Sequence, residues 1–115
     1  MTKEAIISVQ TDEFVVALKS LKMDQKRRRK LNILIRQGAS FGELIFELSG
    51  NSPYSGVLTT IRSDGDWPQA ILVPAGSLRG IVTHPPNSEK LQIYYSTGRF
   101  HVGRWSCPAT SVEGR

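Results

Sequence analysis

Residues 71–83 read Ile71-Leu72-Val73-Pro74-Ala75-Gly76-Ser77-Leu78-Arg79-Gly80-Ile81-Val82-Thr83. The apolar, β-branched run from Ala70 to Val73 predicts a strand, and Ala75 to Thr83 predicts a two-turn helix that Pro85-Pro86 must stop. Leu78, Ile81 and Val82 recur at three- and four-residue spacing and form its buried stripe. Gly80 weakens such a helix by about 1 kcal/mol relative to alanine, so it depends on tertiary support. Shifting the sequence by 64 positions lays the same reading over the N-terminal half: Val9 falls on Val73, Phe14 on Leu78, Ala17 on Ile81 and Leu18 on Val82. Two copies are too few for an open repeat array, so the match predicts two related βαβ-type units sharing one core about a pseudo-twofold.

Working outward, Ala5 to Val9 predicts the first strand, and Thr11-Asp12 supplies a helix-starting signal, with the helix beginning near Asp12. Phe14, Ala17, Leu18 and Leu21 share one stripe, while Lys19 and Lys22 project from another side. The periodicity fades in Asp24-Gln25-Lys26-Arg27-Arg28-Arg29-Lys30, which predicts a basic loop. Leu31 to Ile35, Glu43 to Leu48 and Val57 to Ile61 predict strands between turn-forming segments, so the first half is β-α-β-β-β. In the second half, Leu91 to Tyr95 and Phe100 to Trp105 predict two strands joined by a hairpin at Ser96-Thr97-Gly98. The fold class is therefore α+β: one domain over residues 1–115, with halves of about 5–62 and 69–107 and a frayed tail at 108–115. The paired antiparallel sheets should carry two helices side by side on one face.

The 39% apolar and 22% charged content is that of a soluble globular domain, and no apolar run approaches the roughly 18 residues of a membrane span. Met1-Thr2-Lys3-Glu4 does not lead a secretory signal, so a cytoplasmic location is expected. Cys107 is the sole cysteine. No internal disulfide can form, and Cys107, His84 and His101 cannot assemble a four-ligand zinc site; no metal or other cofactor is expected. The formal charge of +5 is strongly localised: residues 19–30 hold seven basic side chains and one acid, leaving the remainder at −1. A concentrated basic segment on a nearly neutral body points to an anionic partner, nucleic acid first and an anionic lipid surface second. The lipid reading is disfavoured because no Trp or Phe interleaves residues 24–30.

Four segments resemble the processivity fold of DNA sliding clamps, in particular the bacterial DNA polymerase III beta-clamp family. Ile7-Ser8-Val9 followed by Asp12-Glu13-Phe14-Val15-Val16-Ala17-Leu18 is similar to a clamp domain's opening strand and helix. Gly56-Val57-Leu58-Thr59-Thr60-Ile61 resembles its midpoint strand, and Ile71-Leu72-Val73-Pro74-Ala75 with Leu78 the entrance to its second helix. Glu89-Lys90-Leu91-Gln92-Ile93 and Gly98-Arg99-Phe100-His101-Val102-Gly103-Arg104 resemble its closing hairpin. The resemblance implies a DNA-clamp domain whose helices present basic side chains to phosphates without reading bases. Carried onto this sequence, those are Lys19, Lys22 and Arg79, beside the basic run Lys26, Arg27, Arg28, Arg29 and Lys30. Clamps of this family string three such domains together, whereas this chain spans one. A ring is thus not implied, and no residue of the family's peptide pocket carries over.

Each feature has a plainer reading. Lys19 or Lys22 alone serves as well to keep a helix face soluble. An anionic partner and a solvated loop account equally for the three adjacent arginines. Trp67, Tyr94, Tyr95, Phe100 and Trp105 could stack on single-stranded bases, but core packing suits them better, and alternation prevents Tyr94 and Tyr95 from sharing one buried layer. Val16 and Met23 lie opposite the Phe14 stripe and face solvent or a neighbouring subunit. No nucleophile elbow, phosphate loop or metal spacing is visible, His84 is followed by two prolines and His101 lies in a strand with no nearby acid in sequence, so no catalytic residue is expected. The sequence thus predicts a non-enzymatic module that contacts duplex DNA through phosphates, self-associates through sheet edges and works beside replication or repair proteins. Its rival is an adaptor or regulator that keeps the clamp fold without encircling DNA.

Overall fold

The computed structural model of the protein describes residues 6–21, 31–49, 56, 58–67 and 69–112. β1 (Ile7–Gln10) runs into α1 (Thr11–Ser20), followed by β2 (Asn32–Gln37), β3 (Glu43–Ser49) and β4 (Leu58–Arg62). β5 (Ile71–Pro74) leads through a 3₁₀ turn (Ala75–Leu78) into α2 (Arg79–Thr83). β6 (Lys90–Ser96), β7 (Arg99–Val102), β8 (Trp105–Pro108) and β9 (Thr110–Ser111) complete the chain. The fold is α+β, with one antiparallel sheet in the order β1-β6-β7-β8 and a second in the order β4-β3-β2-β5-β9. No helix of the described residues is long and apolar enough to cross a membrane.

The pairing between the halves is reciprocal. The strand before α1 pairs with the strand after α2, Ile7 opposite Ile93 and Val9 opposite Leu91. The strand before the second helical segment pairs with the strand after α1, Ile71 opposite Ile35 and Val73 opposite Ile33. The offset between halves is 64 residues for β1 and β5 but only 58 for β2 and β6. Most of that difference lies in the connection from α1 to β2, residues 21–31, five residues longer than residues 84–89 after α2, and residues 22–30 lie within it.

Alternation explains why these runs form half-buried strands. Ile33 and Ile35 on β2, Leu44, Phe46 and Leu48 on β3, and Leu91 and Ile93 on β6 point inward. α1 adds Phe14, Val15, Ala17 and Leu18 from its buried stripe, with Asp12 and Glu13 in its first turn and Lys19 in its last, the signs a helix dipole favours. All belong to one core cluster. Phe14 meets Phe46 edge-on at 5.4 Å and Trp67 meets Phe100 edge-on at 5.9 Å, each geometry adding about 0.5–1.5 kcal/mol beyond burial. Three of the four overlaid positions hold in full: Phe14 and Leu78 are buried, as are Ala17 and Ile81, whereas Val82 is only partly buried against the core where Leu18 is enclosed.

Several boundaries differ from the sequence reading. The stretch Phe100 to Trp105 is not one strand: Gly103 adopts φ +58° and turns the chain between β7 and β8, with Val102 opposite Trp105. Residues 108–112 are not frayed, because Pro108 closes β8 and β9 pairs with β5, Ile71 opposite Ser111 and Leu72 opposite Thr110. The Ala75–Thr83 helix divides into a 3₁₀ turn and a five-residue α2. A Cβ placed on Gly80 would meet only the Trp105 indole nitrogen at 4.0 Å, so no close backbone approach demands that glycine. The hairpin between β6 and β7 turns at Thr97 and Gly98, both at positive φ, an unusual conformation for a β-branched residue.

In each sheet one strand is sealed by chain that runs on from the other sheet. Beyond β4, Ser63 bridges Val9; the Ser8 N–H donates to Asp64 Oδ1 at 2.6 Å, and the Asp64 N–H donates to the Ser8 carbonyl at 3.1 Å. Beyond β8, β9 covers β5 in the same way. The outer edges of β4 and β8 have no strand partner among the described residues.

Candidate nucleic-acid interface

Lys19 is exposed in the last turn of α1, and Arg79 is exposed at the first residue of α2; the two helices touch. Lys22, Lys26, Arg27, Arg28, Arg29 and Lys30 lie outside the described residues, as does Met23. The anchors of the segment they occupy are defined. Leu21 is buried at the end of α1, its N–H donating to the Ala17 and Leu18 carbonyls at 3.2 Å. Leu31 is buried at the start of β2, its carbonyl accepting the Ala75 N–H at 2.8 Å. One end of the basic segment thus leaves from α1, and the other joins beside the 3₁₀ turn that leads to Arg79.

The described residues contain seven Lys or Arg and seven Asp or Glu, so the whole formal charge of +5 resides in residues 22–30, the two chain ends cancelling. The helices themselves are not a basic face: Asp12 and Glu13 balance Lys19 and Arg79. Glu13 is engaged, its Oε1 accepting the Arg62 backbone N–H at 3.3 Å and its Oε2 accepting the Arg62 guanidinium at 3.2 Å. The other ion pair among the described residues, Arg36 with Glu47 at 3.1 Å, spans β2 and β3.

Trp67 and Phe100 are buried core residues, while Tyr95 and Trp105 pack partly against the core. Tyr94 points the other way, and its ring lies flat on His101 across the hairpin, centroids 4.4 Å apart and planes within 5°. The sequence signal for that pair was the two-residue turn at Thr97 and Gly98, which sets Tyr94 opposite His101. His84 caps the exposed end of α2, its N–H donating to the Gly80 carbonyl at 2.9 Å. Val16 is 62% exposed, opposite the buried stripe of α1. Cys107 is buried on β8, and desolvation pushes its thiol up to about 11, the Arg99 charge only partly opposing this. No group of three or more His, Cys, Asp or Glu that could hold a metal ion occurs among the described residues.

Compared with known protein families, with curated proteins and with solved structures, the chain finds no match.

Proposed function

We propose that the chain is a non-enzymatic, sliding-clamp-like module that holds duplex DNA through sequence-independent phosphate contacts, with Lys19, Lys22, Lys26 to Lys30 and Arg79 as the contacting residues. One observation carries the reading: all of the surplus positive charge sits in a connection five residues longer than its counterpart in the other half, and both ends of that connection are anchored beside the helices. The counterpart connection joins α2 to β6 in six residues, so a helix-to-strand link of this kind does not require that length. The clamp likeness is supported by the reciprocal pairing of β1 with β6 and β5 with β2, the connectivity expected of two pseudo-twofold-related halves.

A second reading, a protein-interaction adaptor, draws on the outer face of the five-stranded sheet. Leu34, Ile45 and Leu72 lie there half-buried and Leu58 is 50% exposed, an apolar surface suited to a protein partner.

Duplex affinity measured across a salt series separates the two. The DNA reading expects log affinity to fall linearly with log salt, by about 0.9 for each phosphate neutralised. Replacing Arg27, Arg28 and Arg29 with glutamine should flatten that slope, weaken unrelated duplexes alike and leave the thermal midpoint unchanged. Absence of binding near about 50 mM salt, or a triple variant that binds as the parent does, would remove the DNA reading in favour of the adaptor.

A further inference from the structure

The strands of the four-stranded sheet contain no Asp or Glu. Their inward positions, Ile7, Val9, Leu91, Ile93, Phe100, Val102 and Cys107, are buried. The outward positions carry hydrogen-bonding, cationic or ring side chains: Ser8 and Gln10 on β1, Lys90, Gln92 and Tyr94 on β6, Arg99 and His101 on β7. At one end of this sheet a groove of about 980 Å³ is lined in part by Ser8, Lys90 and Gln92 of the outward face together with the inward Leu91, Val102 and Trp105. No acid lines it, whereas the adjoining cavity of about 320 Å³ sets Lys90 and Ser8 beside Glu13 and Asp64. Lys90 and Arg104 have no ion-pair partner among the described residues, and the Arg99 guanidinium donates only to the neutral Ser106 hydroxyl, at 3.1 and 3.2 Å. Beyond Gln92, on the same strand face, stands the Tyr94–His101 stack, both residues half-buried.

We propose that this face binds single-stranded nucleic acid, an unpaired base extending the Tyr94–His101 stack while Lys90, Arg99 and Arg104 hold the phosphates. Arg99 and Arg104, with no ion-pair partner among the described residues, call for an anionic strand, and the parallel rings call for a flat ring stacked upon them. A single strand offers both, whereas a duplex keeps its base faces inside its own stack. The site is separate from the helix-side duplex contact proposed above.

The test uses the full chain and labelled strands of about 12 nucleotides: oligo-thymidine, oligo-uridine, and an abasic deoxyribose-phosphate strand of the same length. The parent should bind a base-bearing strand about tenfold more tightly than the abasic one, the loss typical of one stacked base. Tyr94→Ala should erase that ratio and Tyr94→Phe should keep it, with unchanged thermal midpoints showing that both are folded. Should Tyr94→Ala fail to fold, His101→Ala and the parent's own abasic comparison still decide. Replacing Arg27, Arg28 and Arg29 with glutamine, which removes the helix-side contact, should leave the ratio intact, so failure of the helix-side proposal does not affect this one. Comparing oligo-thymidine with oligo-uridine identifies whether DNA or RNA is preferred. Equal affinity of the parent for base-bearing and abasic strands, or an unchanged ratio in a folded Tyr94→Ala, would overturn the proposal.

Discussion

At Cys107 a thiol is enclosed behind β8 and opposite Phe100, where water does not reach to solvate a thiolate. Its raised pKa therefore follows from desolvation, and the group is an inert core side chain at neutral pH. The fold holds the thiol protonated up to about 11, while the unfolded chain releases the proton near the ordinary 9.0. Above that ordinary value the unfolded state binds fewer protons than the native one, so stability falls as pH rises from about 9 to about 11. Urea midpoints should show the parent losing ground to Cys107→Ala across that window, with a constant difference below about pH 8. A difference that stays constant to pH 11 would mean that the buried thiol does not contribute. By contrast, the Arg62–Glu13 pair contributes little as an ion pair, since Arg62 is 88% exposed. Glu13 does more by accepting the Arg62 backbone N–H, which ties the first turn of α1 to the end of β4.

Among the elements, β9 has an importance beyond its two residues. It covers the open edge of β5, and the bonds it brings extend through the Val112 N–H donating to the Ala70 carbonyl at 2.9 Å and the contact of Gln69 with the Ser111 hydroxyl. An uncovered edge presents unpaired amides that water must solvate or another chain will pair. Ending the chain at Ala109 should therefore cost about 2–3 kcal/mol, at roughly 1 kcal/mol for each backbone bond lost, and should raise self-association. Chemical denaturation with light scattering on the truncated chain measures both; an unchanged midpoint would show that β9 adds nothing to the fold. α2 illustrates the opposite dependence. Five residues cannot hold a helix alone, and its stability derives from Leu78 and Ile81 entering the shared core.

For the whole molecule, a neutral body joined to one segment of charge +5 favours contact with a polyanion without a generally sticky surface. With β1 and β5 sealed by chain that runs on from the other sheet, the outer edges of β4, β8 and the two-residue β9 are without a strand partner among the described residues, and β4 and β8 are the longer ones. Copies joined edge to edge through them would extend both sheets, so light scattering should give a mass above the 12.8 kDa of one chain at high micromolar protein in moderate salt. A mass of one chain under those conditions would rule out a ring and favour the adaptor reading. The salt series on duplex DNA and the comparison with abasic strands then address the two faces independently.

The sequence by itself determined the features that depend on near neighbours. The α1 stripe, the alternation in β2, β3 and β6, the stop at Pro85-Pro86 and the hairpin at Thr97-Gly98 each arise within a few residues, where backbone geometry sets the period. The localisation of charge in residues 19–30 was legible for the same reason. The 64-residue match also exposed the relation between the halves, because both bury equivalent positions in one core. Only the tertiary structure decided which strands lie side by side, since bonds such as Ser8 to Asp64 or Leu72 to Thr110 join residues far apart in the chain and leave no local period. The supposed frayed tail became β9 because an edge nearly 40 residues upstream needed a partner. The outward assembly of Lys90, Tyr94, Arg99 and His101 has the same origin. Their types were visible individually, but the sheet register places them on one surface.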